Sequence, residues 1–166
     1  MALTTTARNA ILTWSLVVAA IVADQVTKWW ALRELKGGKV IELVPSLEFD
    51  LTYNSGFSFG TGGQFGRWIG AFVTMIAVIV AIAIVRSPRL SRARVLAVIL
   101  GGALGNLLDR LFRADDGFLS GKVVDFIDVT WYAVFNVADM FVVCGSILLV
   151  YIEWRAAERL TPEVLD

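Results

Sequence analysis

Histidine is missing from the whole 166-residue chain. Its absence excludes the Ser-His and Cys-His mechanisms, whose base is an imidazole, and the usual histidine-based metal sites with them. No metal site and no cofactor is expected. Cysteine is almost as scarce. The single Cys144 makes an intrachain disulfide impossible, and its position beside Gly145 in an apolar run reads as a small buried residue, not a nucleophile. Charge of one sign is also lacking: 15 basic residues balance 15 acidic ones, which speaks against nucleic acid as a partner. P-loop, dinucleotide-binding and zinc-finger spacings are absent. Any catalysis therefore falls to carboxylates.

What the chain has in excess is apolar sequence. A hydrophobic content of 57% and a mean hydropathy of +0.70 are too high for an ordinary soluble domain, so residues 1–166 read as one integral membrane domain. Four spans are expected, at about 11–32, 68–85, 95–112 and 134–154. The first competes with a signal-peptide reading, but no clean A-x-A site follows its core and the hydrophobicity resumes through Val26, Trp29 and Trp30. Residues 40–60 alternate apolar and polar around Pro45 and several glycines, which reads as short strands held over the bundle, because bare strand edges cannot face lipid. In the third span Gly101 and Gly105 form a G-x-x-x-G pair that lets another helix approach closely. An outer loop covers 113–133, within which Val123–Tyr132 fits either a short strand or a surface helix. The fold class is a membrane all-α bundle of four transmembrane helices with a small extracytoplasmic β-rich segment. The connector bearing Arg86, Arg89, Arg92 and Arg94 belongs in the cytoplasm by the positive-inside rule, and both termini with it.

An ionisable group at membrane depth is expensive and needs a reason to be there. Asp139 lies near the start of the last span, and Asp125 sits in the outer loop just ahead of it. Two carboxyls that share a site cannot both ionise easily, so one stays an acid while the other acts as a base on water. The competing reading makes Asp125 a helix cap and pairs Asp139 with an arginine. At a rise of about 1.5 Å per residue, Asp24 and Asp109 each fall roughly 20 Å along outward-going helices, and Asp139 roughly 8 Å below the outer end of an inward-going one. All three thus reach one level near the outer leaflet. Asp24 with Lys28, and Asn106 with Asp109 and Arg110, fall at helical spacings, as do Asn136 and Asp139. For Asp24, Lys28, Asp109 and Arg110 the favoured role is holding the bundle together; Asn106 and Asn136 could bind substrate backbone or steady a carboxylate. A small transporter or proton-relay protein is the rival class, and it predicts acids spread through the depth of the bundle.

With these residues in view, the sequence resembles lipoprotein signal peptidase, the type II signal peptidase of bacterial membranes. The matching stretches are Asp24-Gln25-Val26-Thr27-Lys28, Asn54-Ser55-Gly56-Phe57-Ser58-Phe59, Gly101 through Arg110, Gly121-Lys122-Val123-Val124-Asp125-Phe126 and Phe135-Asn136-Val137-Ala138-Asp139. They run in the family's order from the first span to the last. The resemblance implies an aspartic endopeptidase of the bacterial inner membrane that cuts a prolipoprotein before its diacylglyceryl-modified cysteine. It puts the catalytic pair on Asp125 and Asp139, has Asn54, Asn106, Arg110 and Asn136 line or support the substrate site, and gives Asp24, Lys28 and Asp109 a structural role. A monomer among membrane lipids, with its site near the outer face, is expected. The stretch 111–120 departs from the pattern by being several residues longer. Asp128 lies outside the motifs, where it caps local structure or faces water.

Overall fold

The computed structural model describes residues 4–55, 66–114 and 117–159. Four helices, α1 (Thr5–Glu34), α2 (Gly66–Val85), α3 (Leu90–Phe112) and α4 (Val137–Glu158), are joined by strands β1 (Ile41–Val44), β2 (Leu47–Asn54) and β3 (Val123–Val129). The shortest helix has 20 residues, which at 1.5 Å each gives about 30 Å, the thickness of a bilayer's hydrocarbon core. All four are long and apolar enough to cross a membrane. Hydropathy marks the lipid-buried part of a helix and not its ends. Accordingly α1 starts ahead of Ile11, where Thr4 caps it by accepting from the Ala7 N–H at 3.2 Å, and α3 starts ahead of Val95. In the other direction, α4 begins only at Val137, because Asn136 is its cap.

Helix α3 touches the other three. Its glycines let them in. A Cβ on Gly101 would fall 2.5 Å from the Ala20 Cβ, and one on Gly105 would fall 2.6 Å from Asp24 Oδ2, so the expected G-x-x-x-G pair receives α1. Gly102, whose Cβ would meet the Ala138 carbonyl at 2.5 Å, and Gly145 on Ile99 at 2.6 Å do the same for α4. Val17, Ala77, Ile84, Leu96, Ala97 and Leu100 fill the space between α1, α2 and α3. At the connector end, Arg89 and Arg92 pair with Glu153 and tie the start of α3 to the end of α4. Outward faces carry Trp68, Phe72, Val85 and Val150, as lipid contact requires. Cys144 belongs to that surface. It is exposed and not buried as expected, because its neighbour Gly145 occupies the helix contact.

The sheet has order β1-β2-β3 and is antiparallel throughout. Pairing to β2 decides between strand and helix for residues 123–129 in favour of strand, with Thr52 opposite Asp125 and Asn54 opposite Val123. An aromatic cluster of Trp30, Phe49 and Phe126, with ring centroids 5.2 to 6.2 Å apart, seats the sheet on the end of α1 beside the buried Ala31 and Leu35. Residues 56–60 of the expected β-rich segment lie outside the described residues. In the lengthened stretch, Leu111 and Phe112 extend α3, after which Leu119 is buried with its Cβ near Gly70, at φ 62°, and the Gly121 N–H returns to the Arg110 carbonyl at 3.0 Å.

Candidate active site

The site forms where β3 and the first turn of α4 meet at the sheet end of α1 and α3. After β3 the chain turns back, and Phe135 bridges to Ile127, with its N–H on the Ile127 carbonyl at 3.0 Å. That return delivers the next residue, Asn136, to Asp125: its Nδ2 donates to Asp125 Oδ1 at 2.6 Å. Asn136 also opens α4 with a capping box. Its Oδ1 accepts from the Asp139 N–H at 3.1 Å, and Asp139 Oδ2 accepts from the Asn136 N–H at 3.1 Å. The i,i+3 spacing of these two residues is therefore a helix start and not a shared helical face. Asp139 sits in the first turn, where the helix dipole favours an anion, rather than a full turn deeper as the span 134–154 implied.

Two more amides complete the ring. Asn54 Nδ2 donates to Asp125 Oδ2 at 3.1 Å from β2, and Asn106 Nδ2 donates to Asp139 Oδ1 at 2.8 Å from α3. Both carboxylates thus have both oxygens occupied by donors. Beneath them lies a buried ion cluster. Lys28, fully buried, contacts Asp24 Oδ2 at 2.8 Å, Asp109 Oδ2 at 2.9 Å and Asn106 Oδ1 at 2.8 Å. Asp24 and Asp109 also accept backbone N–H bonds, from Ala138 at 3.0 Å and Val124 at 3.2 Å. Arg110, also buried, reaches the Gly121 carbonyl at 3.5 Å and lies within electrostatic range of Asp125, Asp109 and Asp139.

The residues expected to catalyse, support or brace the site therefore fall in one connected network, with Asp125 and Asp139 at its top and Asp24, Lys28 and Asp109 below. The Gly56 to Phe59 part of the second motif lies outside the described residues. Gln25, quoted in a motif but given no role, proves to be a strut: its Nε2 donates to Asp24 Oδ2, the Gly105 carbonyl and Asp109 Oδ1 at 3.1 to 3.3 Å. Arg113 was missed too, and pairs with Asp109 Oδ1 at 3.1 Å from a half-exposed position. The N-x-x-D signature at Asn136–Asp139 could have revealed the cap; nothing local announces Arg113. Asp128 lies three residues from Asp125 along a strand, hence on the other face.

Burial first, and the neighbouring Asp139 carboxylate second, push the Asp125 carboxyl up from the ordinary 3.8 to about 6, against the pull of the Asn54 and Asn136 amides and the Lys28 charge. Such a site offers a carboxyl that holds a proton close to neutrality beside a second carboxylate, which is the equipment for acid-base activation of water.

Known proteins resemble this chain over most of its length. The family model for signal peptidase (SPase) II matches residues 16–155. A lipoprotein signal peptidase of Bifidobacterium longum subsp. infantis is 42% identical over 134 residues, covering 80% of this chain and 72% of that protein. One from Hydrogenovibrio crunogenus is 38% identical over 161 residues and covers 91% and 90%. Among solved structures, a bacterial membrane enzyme determined by the in meso method superposes with a TM-score of 0.72 at 26% identity, over 93% of this chain and 94% of that one.

Proposed function

This chain belongs to the signal peptidase II family, and from that membership we propose that it is an aspartic endopeptidase which removes the signal peptide of prolipoproteins by cutting before a diacylglyceryl-modified cysteine. Membership makes it a peptidase of the membrane; the carboxylate chemistry rests on the site. The observation that carries it is Asn136, one side chain hydrogen-bonded to both aspartates, at 2.6 Å to Asp125 and 3.1 Å to the Asp139 N–H.

In the proposed reaction Asp125, whose carboxyl titrates near 6, is the acid and Asp139 the base. Asp139 takes a proton from water as the water oxygen bonds to the scissile carbonyl carbon, while the Asp125 proton passes to the carbonyl oxygen. Collapse of the tetrahedral intermediate breaks the C–N bond. The nitrogen leaves with the proton held by Asp139, and Asp125 recovers its own from the hydroxyl that becomes the new carboxyl group. Asn54, Asn106 and Asn136 hold the two carboxylates in register and Arg110 supplies nearby positive charge. A substrate anchored by its signal helix and acyl chains presents its bond at the level of the sheet, which we place at the outer face with both termini in the cytoplasm. A proton relay is disfavoured, because Asp24, Asp109 and Asp139 gather at one end of the bundle instead of marking a path along it.

The test is cleavage by the purified protein in lipid bilayers, using matched precursors with and without the diacylglyceryl group. The lipidated precursor should be cut and yield a product that begins at the modified cysteine. Cleavage at another bond, or equal cleavage of both precursors, would contradict the reading.

A further inference from the structure

Lys28 is joined to each aspartate by a matched pair of links. On one side it binds Asp24 at 2.8 Å, and Asp24 Oδ1 holds the N–H of Ala138, the residue before Asp139, at 3.0 Å. On the other side it binds Asp109 at 2.9 Å, and Asp109 Oδ2 holds the N–H of Val124, the residue before Asp125, at 3.2 Å. The third ammonium hydrogen goes to Asn106 Oδ1 at 2.8 Å, which uses up the lysine's three donors. That bond also settles which way the Asn106 amide points: with its oxygen on Lys28, its Nδ2 faces Asp139 Oδ1 at 2.8 Å.

We infer that Lys28 is a positioning residue shared by both aspartates: by bridging Asp24 and Asp109 it fixes the backbone just ahead of Asp139 and of Asp125, and with it the separation of the two carboxylates. The inference rests on the aspartic reading above and goes beyond helix packing. A cluster that only held helices together would need no bond to the backbone of β3 or to the first turn of α4. Lys28 lies in α1 and is fully buried, yet both halves of the dyad are registered to its ammonium group. Because the reacting carboxylates must meet one water and one carbonyl together, loss of that register should act on turnover and spare binding; misplacement by about 1 Å can cost ~10²-fold.

Two variants test this: Lys28→Met, and the triple variant Asp24→Asn, Lys28→Met, Asp109→Asn. The triple removes buried charge of both signs and keeps a side-chain carbonyl for each of the two backbone N–H groups, so it leaves no buried carboxylate without its lysine. For both we expect kcat to fall ~10²-fold with KM within a few-fold of the parent. The alkaline limb of the kcat–pH profile should also move upward in Lys28→Met, by roughly one pH unit, because a cation that favours ionised Asp125 is gone. The groups around Asp125 that remain are Asn54 of β2, Arg110 of α3, and Asn136 and Asp139 at the start of α4, while Asp109, with Arg113 behind it, holds the N–H of the neighbouring Val124. A purely structural role would lower thermal stability and leave kcat and its pH profile alone in the molecules that fold. Parental kcat with an unmoved profile in either folded variant overturns the inference, and so does failure of both to fold, which would assign the cluster to folding alone. Asp125→Asn and Asp139→Asn run beside them separate the two claims. If those cleave normally, the aspartic reading itself fails; if they are inactive while Lys28→Met is not, only the positioning role falls.

Discussion

Asp125 carries the conflict on which the proposed reaction depends. Only 2% exposed and set beside a second carboxylate, it holds a proton up to about pH 6. The folded chain therefore binds that proton more tightly than the unfolded chain, whose carboxyl titrates near 3.8. The stabilisation is fully present below about 3.8 and is lost as pH rises through about 6. At neutral pH the folded protein bears the cost of a buried, crowded anion, of order 3 kcal/mol if the whole shift is expressed. Asp125→Asn should accordingly unfold at a higher temperature than the parent at pH 7.5, with the gap closing at pH 4; thermal scans in detergent at both values would show it, and a gap independent of pH would contradict it. That the two aspartates meet in one candidate site was legible in the sequence, because a chain with no histidine leaves any chemistry to carboxylates and acids at membrane depth are costly. Gln25 and the N–H groups of Val124 and Ala138 were not, since hydrogen bonds across 84, 15 and 114 residues leave no local mark.

At the scale of elements, α3 is the post on which the others hang, and its glycines set how near they come. Gly105 is the critical one, because the atom that a methyl group would displace is Asp24 Oδ2, itself held by Lys28 and Gln25. Gly105→Ala should lower stability by about 1–3 kcal/mol and reduce cleavage, since Asp24 can no longer hold the Ala138 N–H. Cys144→Ala, on the lipid-facing side of α4, should change neither. Thermal unfolding and precursor cleavage measured on the same preparations decide it; an unaffected Gly105→Ala would mean that the α1–α3 contact gives way at no cost to the site. Sequence pattern showed that α3 carries a close-approach face but not which helix takes it, because spacing defines a surface and not its partner. Residues 123–132 stayed open between strand and helix for a related reason: the pairing with β2 that settles the matter joins residues as far apart as Leu47 and Val129.

At the scale of the molecule, the acid-free arginine connector and the candidate site lie at opposite ends. Arg86, Arg89, Arg92 and Arg94 gather with Arg155 and Arg159 where α3 begins and α4 ends, while the sheet and both aspartates occupy the other end. In the topology we propose, the positive-inside rule puts the arginine end in the cytoplasm. In a Cys144→Ala background, a membrane-impermeant thiol reagent added outside should label Lys122→Cys and spare Ser91→Cys, both exposed positions; the reverse pattern would invert the topology. The central claim is that Asp125 and Asp139 carry the reaction, and the most direct measurement is the rate of cleavage of a lipidated precursor by single asparagine variants. Asp125→Asn and Asp139→Asn should each lose ~10²- to 10⁴-fold or more in kcat, and the double variant little beyond the worse single one, because the pair works as a unit. Asp128→Asn, on the far face of the same strand, should stay within a few-fold of the parent. Near-parental turnover in either dyad variant would contradict the account, and an equal loss in a folded Asp128→Asn would mean that Asp139 has a different partner.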